Sequence, residues 1–267
     1  ILMQDKEIIW FPVLSSIASL IALAIFGSAL FFLSFGGSLE QLKNPGSAMT
    51  SGVVYLIGLV YYLIMFFIAN FFQAGIYIVA DARFNGQNLT LMDGVRGATK
   101  NIGKIFVWSL ISATVGIVLK IISDKSRILG KIVAAVLGAA WAILTYFSLP
   151  SLIIGNKSVI ESFKESASVI RRTWGETIII NLGVGFFFFI LTFIVFALII
   201  GTSVLVPDPI VILSMLILLV LYISALSVIS SALSSIFKLA IYEYATTGKM
   251  PGGFSPELLA NAIKTRK

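Results

Sequence analysis

The chain has 267 residues, of which 58% are hydrophobic and 12% charged, with a mean hydropathy of +1.04, far from the roughly 25% charged residues of soluble domains. It has neither cysteine nor histidine, which excludes structural zinc, iron–sulfur clusters, histidine-ligated haem, thiol catalysis and the serine–histidine triad, and no disulfide exists from which to read a redox compartment. The net charge of +7 suits an anionic membrane leaflet better than nucleic acid, because no basic–aromatic nucleic-acid motif accompanies it.

Asp, Glu, Lys and Arg vanish between Glu7 and Glu40, Lys43 and Asp81, Lys131 and Lys157, Glu176 and Asp208, and Asp208 and Lys238. Each gap matches or exceeds the roughly 20 residues that a helix needs to cross bilayer hydrocarbon. The shorter gap from Lys104 to Lys120 is completed by lysine snorkelling. The pattern predicts an all-α polytopic transmembrane bundle, one membrane domain over 1–267, with about six spans and short cytoplasmic interfacial helices. The spans fall at about 9–35, 52–80, 102–123, 128–154, 177–203 and 210–241, and the interfacial helices at about 91–101, 158–173 and 255–266.

Because the sequence opens at Ile1 rather than at a methionine, some native segment is expected to precede it. No cleavable signal peptide is read, since the first apolar stretch is too long and no Ala-x-Ala site follows it. After this span comes a short loop, Gly36 to Thr50, with Asn44-Pro45-Gly46 as its turn signal. The second span carries the main polar constellation, Asn70 and Gln73, with Asp81 at the membrane edge. Their spacing sets them within one broad helical face, and Lys238 of the sixth span is a plausible partner. Such a set could form a polar cavity; amide pairs that bond neighbouring helices are the preferred reading.

The three interfacial segments share a register: Asp93, Val95, Ala98; Glu161, Phe163, Ser166; Glu257, Leu259, Ala262. Thr90, Ser158 and Ser255 are suitable N-caps, and Pro256 suits a first helical position. This pattern reads either as a repeat of interfacial helix plus helical hairpin or as a match that any short amphipathic helix would give. Asn88-Leu89-Thr90 and Asn156-Lys157-Ser158 match glycosylation sequons by chance on the face read as cytoplasmic.

In lipid, spans associate through small residues that let backbones approach. The third span offers Ser109, Ser112 and Gly116. After the tight turn Ser123 to Ser126, the fourth has Gly130, Ala134, Gly138 and Ala142 at four-residue spacing. Beyond the helix-breaking Pro207-Asp208-Pro209, the sixth carries Ser227, Ser231 and Ser235, read as a helix seam rather than a pore lining. These stripes could equally form a homo-oligomer interface. Arg171, Arg172 and Trp174 sit where the second interfacial helix meets the fifth span, positioned to pair with lipid phosphate and anchor at headgroup level. Lys238, Tyr242, Glu243 and Tyr244 form a similar interfacial belt.

Fourteen of the 19 basic residues fall on the side that holds the N-terminus, 81–101, 155–176 and the C-terminal tail. Lys43, Lys120, Lys125, Arg127 and Lys131 fall on the other. This asymmetry puts both termini in the cytoplasm. No acid lies at the centre of a span, which argues against a proton pump or cation-coupled carrier built on an intramembrane carboxylate.

Several stretches together carry a family likeness: Asp5-Lys6-Glu7 with Phe11-Pro12, Ala113 to Gly116, Leu137 to Trp141, Arg171 to Glu176, and Tyr244 to Gly248. They resemble an uncharacterised family of prokaryotic integral membrane proteins of unknown function, over nearly the whole chain. Members typically carry an amphipathic, Trp-containing segment before the Asp-Lys-Glu motif that this sequence does not contain. The resemblance implies a six-span plasma-membrane protein and supplies no activity, substrate, cofactor or catalytic residue.

The expected function is thus non-enzymatic: a membrane module that organises anionic lipid or partner proteins, as an oligomer. The second expectation is a small transporter or channel for a lipid-like or uncharged solute near Asn70 and Gln73. No nucleophile–base pair supports an intramembrane enzyme, and no cofactor is expected.

Overall fold

Every regular element is helical among the described residues, which in this computed structural model are 6–35, 52–125, 128–206 and 208–254. A 3-10 turn, Lys6–Ile9, leads into α1 (Trp10–Phe35), followed by α2 (Gly52–Phe84), α3 (Leu91–Lys100), α4 (Ile102–Asp124), α5 (Leu129–Leu144), α6 (Ser148–Ile153), α7 (Val159–Leu205) and α8 (Pro209–Thr247). Among the described residues six stretches are long and apolar enough to cross a membrane: Glu7–Leu33, Leu56–Phe84, Ile102–Asp124, Leu129–Ile153, Gly185–Ser203 and Pro209–Thr247. The protein is an all-α polytopic membrane bundle. The loop at 36–50, Ser126-Arg127 of the tight turn and the segment 255–266 lie outside the described residues.

Local chemistry fixes where the helices start. The Thr90 hydroxyl accepts from the Asp93 amide, while the Asp93 carboxylate accepts from the Thr90 amide at 3.1 Å and hydroxyl at 2.7 Å, a closed capping box at the head of α3. Ser158 and Glu161 repeat it at the head of α7, with bonds of 2.9 and 2.8 Å to the Glu161 carboxylate. Asp208 caps α8 by accepting from the Ile210 and Val211 amides, with Pro209 at its first position. Glu7 accepts from the Leu91 amide and so ties the start of α1 to the start of α3.

Hydrogen bonds from the Thr90 hydroxyl and then its amide hold the Asp93 carboxyl below its ordinary range. The Ser158 amide and then its hydroxyl do the same for Glu161. A carboxyl lowered in the fold stabilises it above its unfolded pKa of about 4 and loses that contribution as pH falls through the folded value. Protection of the Gly94 and Ser162 amides, bonded to the Thr90 and Ser158 carbonyls, is therefore expected to hold from about pH 8 to 5 and to fall below about pH 4. Hydrogen exchange in detergent reads it; protection that persists undiminished to about pH 2 would contradict the capping argument.

One element departs from the expected layout. The segment read as a single span at 128–154 is broken between Leu144 and Ser148 into α5 and α6. The helix read at 158–173 ends where expected: within α7 two helices meet across a kink at Thr173, which is non-helical (φ −120°, ψ 19°). Its buried hydroxyl bonds back to the Val169 carbonyl at 2.9 Å, competing with the local helical bond and bending the helix.

The buried core collects at the end of the bundle that carries α3. It draws on Ile8 and Phe11, the last third of α2, the first half of α4, α6, α7 up to Thr173, and α8 from Ala232 to Tyr242. Among the described residues only Ala22, Gly130 and Leu219 are buried elsewhere. Phe163 of α7 packs against Trp108 of α4 and Trp141 of α5, with ring centroids 5.1 and 5.4 Å away. Elsewhere the spans leave large apolar side chains exposed, such as Phe186, Phe193 and Leu216, as lipid-facing surface requires.

Candidate functional site

The polar residues of α2 are divided among its neighbours. Asn70 donates to the Ser109 hydroxyl of α4 at 3.0 Å, and Gln73 donates to the Ser235 hydroxyl of α8 at 3.4 Å. Three residues of separation turn a helix by about 300°, or 60° the short way round, so one face reaches two different partners. Gln73 also lines a groove of about 920 Å³ between α1, α2 and α8, with Ser16, Phe72, Ser224, Ser227 and Ser231 on its walls. A second groove, of about 500 Å³, lies between α7 and α8.

Asp81 is elsewhere, in a cavity of about 370 Å³ between the ends of α2, α6 and α8, with Asn85, Gly155, Tyr242, Glu243 and Lys249. Its carboxyl lies within hydrogen-bonding reach of the Glu243 carboxyl. Next to this pair, Glu165 of α7 accepts at one oxygen from the Tyr242 hydroxyl, at 3.1 Å, and from the Ser151 hydroxyl of α6. A methyl group on Gly155 would collide with the Tyr242 hydroxyl, so this glycine makes the room in which the tyrosine reaches Glu165. Lys238 joins neither group; its ammonium sits 4.3 Å from the centroid of the Tyr146 ring, a cation–π contact.

The four residues taken together from the sequence, Asn70, Gln73, Asp81 and Lys238, thus occupy four separate settings. Glu165, Ser151, Tyr242 and Glu243 were not part of that set. Tyr242, read as part of an interfacial belt, is only 3% exposed; burial of its ring corrects that reading. A signal existed in the amphipathic pattern of α7, where Glu165 falls between Ser162 and Ser166, both fully buried.

Arg171 and Arg172 are both exposed at the kink of α7, and the Trp174 side chain lies outside the described residues. In the small-residue stripe of α5, Gly130 abuts the Ile122 and Ser123 carbonyls and Gly138 faces Leu119 at ordinary contact distance. Ala134 is half-buried and Ala142 exposed. Of the serines of α8, Ser235 is buried in a seam, while Ser227 and Ser231 are exposed and line both grooves. Among the described residues no group of three or more His, Cys, Asp or Glu has the arrangement of a metal site. Chemically, the site offers carboxyl, hydroxyl and apolar groups.

A model of the Family of unknown function (DUF6159) matches residues 48–253. No curated protein and no solved structure matches the chain.

Proposed function

We propose that the chain, which belongs to the DUF6159 family of unknown function, is a non-enzymatic membrane module that organises lipid or partner proteins. The observation that carries this reading is the contrast between a core confined to one end and a groove of about 920 Å³ that opens along the spans. From Ile9 to Leu20 the α1 wall of that groove rises about 16 Å at 1.5 Å per residue, half of a hydrocarbon layer about 30 Å thick. Its apolar walls and hydroxyls suit lipid or the face of another helix. The reading includes an oligomer in a prokaryotic plasma membrane with both termini cytoplasmic, so that the exposed Arg171 and Arg172 meet anionic headgroups.

A second reading, transport of a lipid-like or uncharged solute, draws on Gln73 at the wall of the same groove. The two part in proteoliposomes loaded with a fluorescent phospholipid and a small uncharged solute. The organising role predicts flux no greater than in protein-free vesicles. Flux that the parent supports and that Asn70→Leu and Gln73→Leu abolish would replace it with the transport reading.

A further inference from the structure

Three helix ends in this bundle are built alike. Shortly after α2, α6 and α8 the chain takes a left-handed residue: Gly86 (φ 78°), Asn156 (φ 48°) and Gly248 (φ 69°). Nine residues before each stand Tyr77, Phe147 and Leu239, all 0% exposed. Six before stand Ala80, Pro150 and Tyr242, all buried. Five before stand Asp81, Ser151 and Glu243. α2, α6 and α8 touch one another pairwise, so equivalent positions meet at one level of the bundle. The helices that follow α2 and α6 match as well: each opens in a capping box and buries two small residues in the same register, Gly94 and Ala98 in α3, Ser162 and Ser166 in α7. Three helix ends thus share one register, and two of them are followed by a matching capped helix.

Two of the three copies put a carboxyl at the five-before position, and these two face one another. The third, Ser151, is turned to Glu165. Glu243 Oε1 is buried, and among the described residues no N–H or O–H donor reaches it. A hydrogen bond between two carboxyl groups needs a proton held by one of them. Among the described residues, few titratable or charged neighbours face this level. α2 adds Tyr77 one turn before and Arg83, which donates to Asn88 at 2.6 Å. α7 adds Glu165, and α8 adds Tyr242, already bonded to Glu165, with Lys238 a turn earlier over Tyr146 of the α5–α6 link. Lys249, after α8, lines the cavity; Glu7, before α1, is engaged with the Leu91 amide.

We propose that the Asp81–Glu243 pair is a proton-held latch between α2 and α8 at the end of the bundle that carries α3. One shared proton closes it. Release of that proton to water leaves two like charges across a half-buried interface, which drives the helix ends apart and widens the cavity between them. The latch operates whichever of the two functional readings holds.

The absence of cysteine makes site-directed spin labelling clean. Labels on Gln87→Cys and Thr247→Cys, both exposed near the ends of α2 and α8, report their separation in nanodiscs by pulsed electron resonance. On raising the pH from about 5 to about 9, the distance distribution is expected to lengthen by several ångströms. In Glu243→Gln, whose carboxamide donates to Asp81 without titrating, it is expected to stay at the short value throughout. Asp81→Asn should behave likewise and serves if the first variant fails to fold. A parent distance that does not change with pH overturns the latch, as does a pH response that survives in either variant.

Discussion

Phe11→Ala is expected to lower the unfolding midpoint in detergent by on the order of 10 °C. The ring is fully buried in a slot made by two missing side chains. A Cβ on Gly94 would stand 2.5 Å from Phe11 Cζ and 2.8 Å from Val79 Cγ2, and one on Gly75 would stand 2.7 Å from Phe11 Cδ1. The slot is walled by backbone: the Gly75 carbonyl oxygen lies 3.1 Å from the Cβ position of Gly94. It therefore has little freedom to collapse once emptied. Truncating a buried Phe to Ala costs about 3–5 kcal/mol when the site cannot relax, and each kcal/mol moves the midpoint by about 2–4 °C in a chain of this size. Phe193→Ala is the control. That ring is 59% exposed to what would be lipid, so its loss should move the midpoint little. Equal shifts for the two variants would refute the slot as a source of stability.

Glu165→Leu carries the second large effect. The carboxylate receives the hydroxyls of Tyr242, 3% exposed, and Ser151, 0% exposed. Leucine leaves both donors buried without an acceptor, at about 1–3 kcal/mol each, so a loss of about 2–6 kcal/mol follows. Tyr242→Phe removes one donor and leaves Ser151 served, for a loss of about 1 kcal/mol. In the double variant the tyrosine penalty disappears, and the cycle should show coupling of about 2–4 kcal/mol. Unfolding in mixed micelles would read all three. If the two losses simply add, with no coupling, the hydroxyl–carboxylate network does not contribute in this way.

Span number and helix starts were legible in the sequence because both are local matters. A long run without charge must cross or bury, and a Thr-x-x-Asp or Ser-x-x-Glu pair closes its own capping box without help from the rest of the chain. The break between α5 and α6 left no such trace. Its residues, Thr145 to Phe147, lie inside an uncharged run, and the bend is set by packing: the Phe147 amide donates to the Ser166 hydroxyl of α7 at 2.9 Å. The candidate site was legible only in part, for a related reason. Asn70 and Gln73 stood out as amides in an apolar span, but nothing in their spacing names Ser109 and Ser235 as separate partners. Glu165 reads as one more charge on a solvated helix, and Glu243 as one of several interfacial groups. Only the meeting of three helix ends brings Glu243 to Asp81 and Glu165 to Tyr242. The left-handed positions that reveal the shared register are glycines in two copies and an asparagine in the third, a substitution that hides the correspondence from a reading by residue type.

Because the core lies at one end, the two ends of the bundle differ in what they can absorb. At 1.5 Å per residue the 39 residues of α8 reach about 58 Å, nearly twice the thickness of the hydrocarbon layer. Of its outer half only Leu219 is buried. A thicker or thinner bilayer is then met by tilting the outer part of the α7–α8 hairpin, at fractions of a kcal/mol per ångström of mismatch. The packed end keeps its shape while the distal arm adjusts to the host membrane.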